Sequence, residues 1–186
     1  ILWDLDMWPH TLEAMEIIKN KWSINLLEII FRQFYKTFDK VLIGSKSFKN
    51  IASKRMPEHK IEYFPNWADD LFERLNLKIN PPKPEDKIII TYAGNIGEAQ
   101  GFEVLVKAIK ESINNKIVFN FIGSGRYKLK LKKLVSENNL KSSIIFFDKV
   151  NTEDLIPFFE NTHYLYLSLK DNPIFSETVP AKLQTY

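Results

Sequence analysis

The 186-residue chain has no cysteine. Disulfides, thiolate metal sites and cysteine nucleophiles are thereby excluded, which fits a reducing, cytoplasmic compartment. Histidine is nearly as scarce. His10, His59 and His163 are scattered without metal-ligand spacing, so no structural zinc is expected. Charge of one sign is also in short supply. The formal net charge is only +3, far from the strongly basic face of a nucleic-acid binder, and no nucleic-acid partner is expected. No apolar run approaches the ~18–20 residues that span a bilayer; the longest candidates, such as Ile117–Ile122, are strand-sized. Ile1-Leu2-Trp3-Asp4 lacks the basic start and apolar core of a signal peptide. An initiator Met is missing as well, so the chain reads as an excerpt of a longer protein. Also absent are a G-x-G-x-x-G dinucleotide fingerprint, a P-loop, a G-x-S-x-G nucleophile elbow, internal repeats and low-complexity tracts.

What is present is an ordinary globular balance, 45% hydrophobic and 26% charged, which argues against disorder. The length suits one full domain of roughly 100–150 residues or two partial ones. Leu2–Leu5 reads as a strand, Asp6-Met7-Trp8-Pro9 as the loop leaving it, and Thr11–Ile18 as a short helix. Ile24–Phe38 places Leu26, Leu27, Ile30, Phe31, Phe34 and Phe38 at helical spacing, a face that core packing explains and that is also the one hint of membrane contact. Lys40–Ile43 is a short apolar run. Ser45 sits where an N-cap belongs before a basic helix reaching about Arg55, and Lys60–Phe64 is a further strand. Asp69-Asp70 reads as a helix cap.

The segment 79–86, with three prolines among polar residues, reads as a stiff linker. It separates a first region, 1–78, from a second, 87–186. Beyond it the rhythm is regular. Strands are expected at Lys87–Tyr92, Ile117–Ile122, Ser143–Phe147 and Tyr164–Leu169. Helices are expected at Ala99–Ile113, Lys128–Asn138 and Glu153–Glu160, with another beginning near Pro180. The strands are almost continuously apolar, as in a parallel sheet covered on both faces. Strict alternation with short links predicts an open α/β sheet with right-handed crossovers.

In such sheets ligands bind beyond the carboxyl ends of the strands. Two loops there are rich in glycine. Gly94-Asn95-Ile96-Gly97 permits positive φ and close backbone approach, and the following helix offers N–H groups to a phosphate. Gly123-Ser124-Gly125-Arg126 clears space and adds a planar cation suited to phosphate oxygens. Each loop by itself reads more readily as a structural turn. Two such loops on neighbouring strands strengthen the case for a phosphate-bearing ligand. Lys128 and Lys130 are weaker candidates, because the run from Lys128 to Lys133 also reads as the solvated face of a helix.

The segment Tyr92-Ala93-Gly94-Asn95-Ile96-Gly97-Glu98-Ala99-Gln100-Gly101 resembles the opening of the donor-binding domain in retaining glycosyltransferases of the GT-B fold, the group 1 or family 4 enzymes. It is most similar to bacterial members that build capsule, O-antigen and exopolysaccharide units. Asp6-Met7-Trp8-Pro9 resembles their aspartate-aromatic-proline loop, and Asp39–Ser47 with Pro65-Asn66-Trp67 their last acceptor-domain strands. Phe121-Ile122-Gly123-Ser124-Gly125 resembles the second donor-domain loop, and the stretch from Val179 to Tyr186 the donor-sugar helix. Six segments in the right order make the resemblance specific.

The resemblance implies two Rossmann-like parallel-sheet halves, both incomplete in this chain, with 1–78 on the acceptor side and 87–186 on the donor side. It implies transfer of a sugar, with retention, from a nucleoside-diphosphate sugar to a glycan or lipid-linked acceptor. No metal or other cofactor is expected. The implied setting is cytoplasmic, at the inner face of the membrane where peripheral contact is made. Gly94, Asn95 and Gly97 would face the diphosphate, as would Gly123, Gly125 and Arg126, and Val150 would sit by the nucleobase. Of two family glutamates, Glu177 falls on the first position, as the implied catalytic group, and Thr185 stands at the second. Lys182 would neutralise donor phosphate. Read without the resemblance, Glu177 is a capping carboxylate and Lys182 a solvated first-turn lysine. The excerpt alone is expected to be inactive. A sugar-nucleotide epimerase or phosphorylase of the same architecture, with His10 as the loose acid/base candidate, and a non-catalytic sugar-nucleotide-binding scaffold are the alternatives.

Overall fold

The computed structural model describes residues 1–68, 78–112 and 116–186. The chain divides into two compact units, Ile1–Ala68 with Leu169–Thr185, and Asp69–Ser168 with Tyr186. The expected cap at Asp69-Asp70 lies outside the described residues.

The first unit is built on three short parallel strands, β1 (Leu2–Asp4), β2 (Val41–Ile43) and β3 (Ile61–Tyr63), in that spatial order. Leu2 stands opposite Val41, and Val41 opposite Ile61. Parallel pairing demands crossovers. Helices α1 (His10–Ala14) and α2 (Lys21–Tyr35) make the first, and a 3-10 turn at Lys46–Phe48 followed by α3 (Lys49–Ala52) the second. The N-terminus of α2 lies three residues before the expected start because the Asn20 side chain accepts the Trp22 N–H at 2.9 Å. Ser45 precedes the 3-10 turn but makes no side-chain cap.

The apolar face expected of α2 is only partly the buried one. Ile24 and Tyr35 are buried and Leu27 and Phe31 half-buried, while Leu26, Ile30 and Phe34 are 43–53% exposed. Polar anchors set this rotation. The Tyr35 hydroxyl donates to Asp4 at the end of β1. Two turns earlier, Glu28 meets the fully buried Arg55 through two hydrogen bonds, Nε to Oε1 at 2.9 Å and Nη2 to Oε2 at 2.7 Å. A helix with apolar residues nearly all round has no unique apolar stripe, so its charged partners decide which side faces in.

The second unit holds four parallel strands: β4 (Ile88–Ala93), β5 (Ile117–Ile122), β6 (Ile144–Phe147) and β7 (Tyr164–Leu165), in spatial order β6-β5-β4-β7. The crossovers are α4 (Phe102–Glu111), α5 (Lys128–Glu137) and α6 (Ile156–Glu160). Alternation along β5 sends Phe119 and Phe121 into a core shared with Tyr92, Phe102, Leu105, Leu131 and Val135. Ile122 goes to the other face, with Ala93 and Phe159. Phe102 and Phe121 meet edge to face at 4.9 Å, and Phe121 stacks on Phe146 at 5.3 Å, the offset and T-shaped contacts that aromatic quadrupoles favour. Burial on both faces explains why these strands read as apolar throughout.

Two boundaries in the second unit differ from expectation, the first for a local reason. The helix expected from Ala99 begins at Phe102, because Gly101 is left-handed (φ 62°, ψ 40°) and cuts off a 3-10 turn at Glu98–Gln100. The strand expected to reach Leu169 ends at Leu165. The segment 79–86 is anchored to the second unit. Asn80 N–H donates to the Glu160 carbonyl at 2.7 Å. His163 Nδ1 accepts from Ile89 N–H at 2.9 Å, so its Nε2 carries the proton given to the Pro82 carbonyl at 2.8 Å. Two short helices close the chain, α7 (Pro173–Glu177) and α8 (Lys182–Thr185). No helix among the described residues is long and apolar enough to cross a membrane.

Candidate functional site

The carboxyl ends of β4, β5 and β6 open into a cleft of about 360 Å³, within the usual range of small-molecule sites. Gly94 and Asn95 come from the loop after β4, Gly123 and Ser124 from the loop after β5, and Lys149 and Val150 from the loop after β6. Leu155, just before α6, supplies part of the wall. One side is apolar: Val150 and Leu155 pack against the cluster of Ala93, Ile122 and Phe159. The other side carries the exposed Asn95, Ser124 and Lys149. An amphiphilic ligand with a flat apolar end and an anionic end matches that division.

The first two loops are interlocked, which fixes the cleft's floor. Ile96 N–H donates to the Ser124 carbonyl at 2.8 Å, and Tyr127 N–H to the Ile96 carbonyl at 3.1 Å. The contact is close enough to demand glycine. A Cβ on Gly123 (φ 142°) would fall 2.0 Å from the Gly94 carbonyl oxygen, and one on Gly125 (φ 156°) 2.2 Å from that of Ile96. The space these glycines clear is therefore filled by the neighbouring loop.

Gly97 differs from the expected pattern. Its φ is −109°, so it has no left-handed requirement, and its N–H is taken by Gln100 Oε1 at 3.0 Å. The helix start expected to receive phosphate is thus capped and set back behind the 3-10 turn. Lys128 is likewise committed to structure. Its ammonium donates to the carbonyls of Gly123 (2.8 Å) and Phe147 (2.9 Å) and to Asp148 (2.9 Å), tying the ends of β5 and β6 together. The Lys128 ammonium holds the Asp148 carboxyl below its ordinary range. Arg126 is exposed beside the loop but does not line the cleft. Lys149 does, although it is not among the residues expected at the site.

Glu177 and Lys182 belong to the first unit. Glu177 sits at the C-terminal end of α7, not at a helix start, so the capping explanation does not apply. With His10, Glu13 and Asn172 it lines a pocket of about 380 Å³, and its Oε2 is buried with no hydrogen-bond partner among the described residues. His10 Nε2 lies 3.7 Å from Glu28 Oε2, and Arg55 steadies the same loop by donating to the Trp8 carbonyl at 2.6 Å. Lys182 is half-buried, and burial pushes its ammonium below the ordinary lysine value. Thr185 is half-buried in α8. Next to it, the Tyr186 hydroxyl meets the Ala93 backbone at the end of β4, N–H at 2.9 Å and carbonyl at 3.1 Å. Among the described residues no group of three or more His, Asp or Glu side chains could hold a metal ion.

Against known proteins, residues 73–180 match the glycosyl transferases group 1 family. That is well over half of the chain, which belongs to this family. It is 27% identical over 159 residues to WcaI of Escherichia coli K12, described as a colanic acid biosynthesis glycosyl transferase, covering 78% of this chain and 37% of that protein. It is 26% identical over 140 residues to the glycosyltransferase WbjE of Pseudomonas aeruginosa, covering 72% and 35%. The chain thus spans little more than a third of these curated relatives. Among solved structures, Anabaena HepE in complex with UDP and glucose superposes with a TM-score of 0.60 at 10% identity, over 76% of this chain and 41% of that one. A Rickettsia africae glycosyltransferase gives 0.59 at 19% identity, over 75% and 41%. The fold is accordingly α/β, with the Rossmann-like parallel-sheet halves of GT-B glycosyltransferases.

Proposed function

We propose that the protein carrying this chain moves a sugar from a nucleoside-diphosphate sugar to a saccharide or lipid-linked acceptor, with retention, in cell-surface polysaccharide synthesis. The observation that carries this reading is the two-sided cleft beyond β4, β5 and β6. Val150 and Leu155 offer an apolar wall to the nucleobase. Asn95, Ser124 and Lys149 face the diphosphate, and Arg126 adds an exposed positive charge in the loop after β5. Gly94, Gly123 and Gly125 shape the floor, and Gly97 supports the turn behind it.

Cleavage of the sugar–phosphate bond places negative charge on the departing diphosphate and positive charge on the sugar. In this reading Lys149 and Arg126 answer the first without a bound metal. Within the first unit, Lys182 and the Glu177 carboxylate take the phosphate and sugar roles that the resemblance implies. An already desolvated lysine suits a phosphate partner, because an anion restores the charge stabilisation that burial removes. A cytoplasmic setting at the membrane's inner face follows from a lipid-linked acceptor.

The test is thermal unfolding of the complete protein with uridine, guanosine or adenosine diphosphate. A ligand at about 100 times its Kd adds about 2.7 kcal/mol. One of the three should raise the melting temperature, and Lys149→Ala should shrink that rise without lowering the unliganded value. No shift with any of them overturns the reading.

A further inference from the structure

The stretch from Arg126 to Lys149 holds seven basic and two acidic residues. Its net +5 exceeds the +3 of the whole chain, so positive charge is concentrated here while the rest is net negative. Lys128 is occupied by Gly123, Phe147 and Asp148. Glu137, 3.8 Å from Lys133, is the one other carboxylate in the stretch. Lys130, Lys132, Lys133 and Lys141 are all exposed.

These charges stand over apolar surface. Lys132, Lys133 and Lys141 line a groove of about 550 Å³ that also contains Val135, Ile145 and Phe146 and no carboxylate. The Lys132 ammonium lies over the Phe146 ring at 5.6 Å. The groove runs along β6, whose one partner strand among the described residues is β5. Leu129 is 81% exposed one turn before Lys132 and Lys133 on the same side of α5, and Ile145 is 40% exposed on β6.

A built pocket for a single phosphate would present a rigid donor fork. This face presents four lysines, mobile point charges on long apolar stems, spread around protruding aliphatic side chains. Such a pattern complements a fluid array of phosphates above an acyl layer. We propose that the outer side of α5 and the β6 edge form a docking surface for an anionic bilayer. Leu129 enters the interface, and Lys130, Lys132, Lys133 and Lys141 pair with lipid phosphates. This rests on, and deepens, the membrane-side placement proposed above, and it does not depend on the transfer chemistry.

The experiment is co-sedimentation of the complete protein with phosphatidylcholine vesicles, with and without phosphatidylglycerol. Binding is expected only with the anionic lipid and should fade as salt is raised. Reversing three charges together (K132E, K133E and K141E) should weaken partitioning by roughly a hundredfold or more. Leu129→Ser should weaken it several-fold at constant charge. Neither set should change the melting temperature or its shift with nucleoside diphosphate, since these side chains are exposed and outside the donor cleft; those shifts report on the transferase reading separately. Failure of the parent to bind anionic vesicles, equal binding by the charge-reversed variant, or retention by an acidic protein partner in place of lipid overturns the proposal.

Discussion

Removing Glu28 should destabilise the first unit out of proportion to the residue's position on a helix surface. Its partner Arg55 has 0% side-chain exposure, whereas Glu28 keeps 21%. Glu28→Ala takes away two charge-assisted hydrogen bonds, of 2.9 and 2.7 Å. The guanidinium is left with the Trp8 carbonyl and the rings of Tyr35 and Phe31, at 4.9 and 5.7 Å. Its Nη1 already has no hydrogen-bond partner among the described residues. Stranding one partner of a buried pair costs about 3–5 kcal/mol. Water reaching through the space left by a partly exposed glutamate favours the lower end, about 3 kcal/mol. The joint replacement Glu28→Leu with Arg55→Met should cost less than Glu28→Ala alone, because no unpaired charge stays behind. All four tryptophans of the chain, Trp3, Trp8, Trp22 and Trp67, lie in this unit, so urea unfolding followed by their fluorescence isolates the effect. A Glu28→Ala variant within about 0.5 kcal/mol of the parent, the range of an ordinary surface substitution, would refute the argument.

Three further outcomes are expected. Gly125→Ala should destabilise the second unit by about 1–3 kcal/mol, because the backbone is held in a glycine-only region and the methyl meets the Ile96 carbonyl. Gly97→Ala meets only side-chain atoms at 3.0 Å and should cost clearly less in the same denaturation series. The stability of Lys182→Met relative to the parent should fall as pH rises towards 10.5. The buried lysine's lowered value means its charged form is penalised below that value and the penalty is relieved above it; a pH-independent difference would count against burial as the cause. Glu177→Gln should lower kcat more than it weakens donor affinity, and unchanged turnover would remove Glu177 from the site.

The second unit was legible from the sequence because its strands are short, continuously apolar and separated by glycine-bearing turns. Ile88–Ala93 and Ile117–Ile122 carry that signal without ambiguity. The helix after β4 begins late for a reason a pattern does not contain, the left-handed Gly101. Helix α7 was missed because five residues hold too few turns for periodicity; the asparagine–proline pair at 172–173, an N-cap accepting from Ile174 N–H, was the available clue. Arg55 read as one more charge in a basic segment, since burial depends on Glu28 and Tyr35 far away in the chain. The glycines were recognised, but not their use. What Gly123 and Gly125 make room for is another loop, a relation set by tertiary register.

That register has a practical side. With the Ile96 carbonyl seated against Gly125 and the Gly94 carbonyl against Gly123, neither turn has a shape of its own. Exchanging one of them for its counterpart from a relative, to alter donor choice, would import half of a lock. Chimeras should carry Gly94–Gly97 and Gly123–Tyr127 as a pair, and surveys of natural variation should find the two stretches changing in concert.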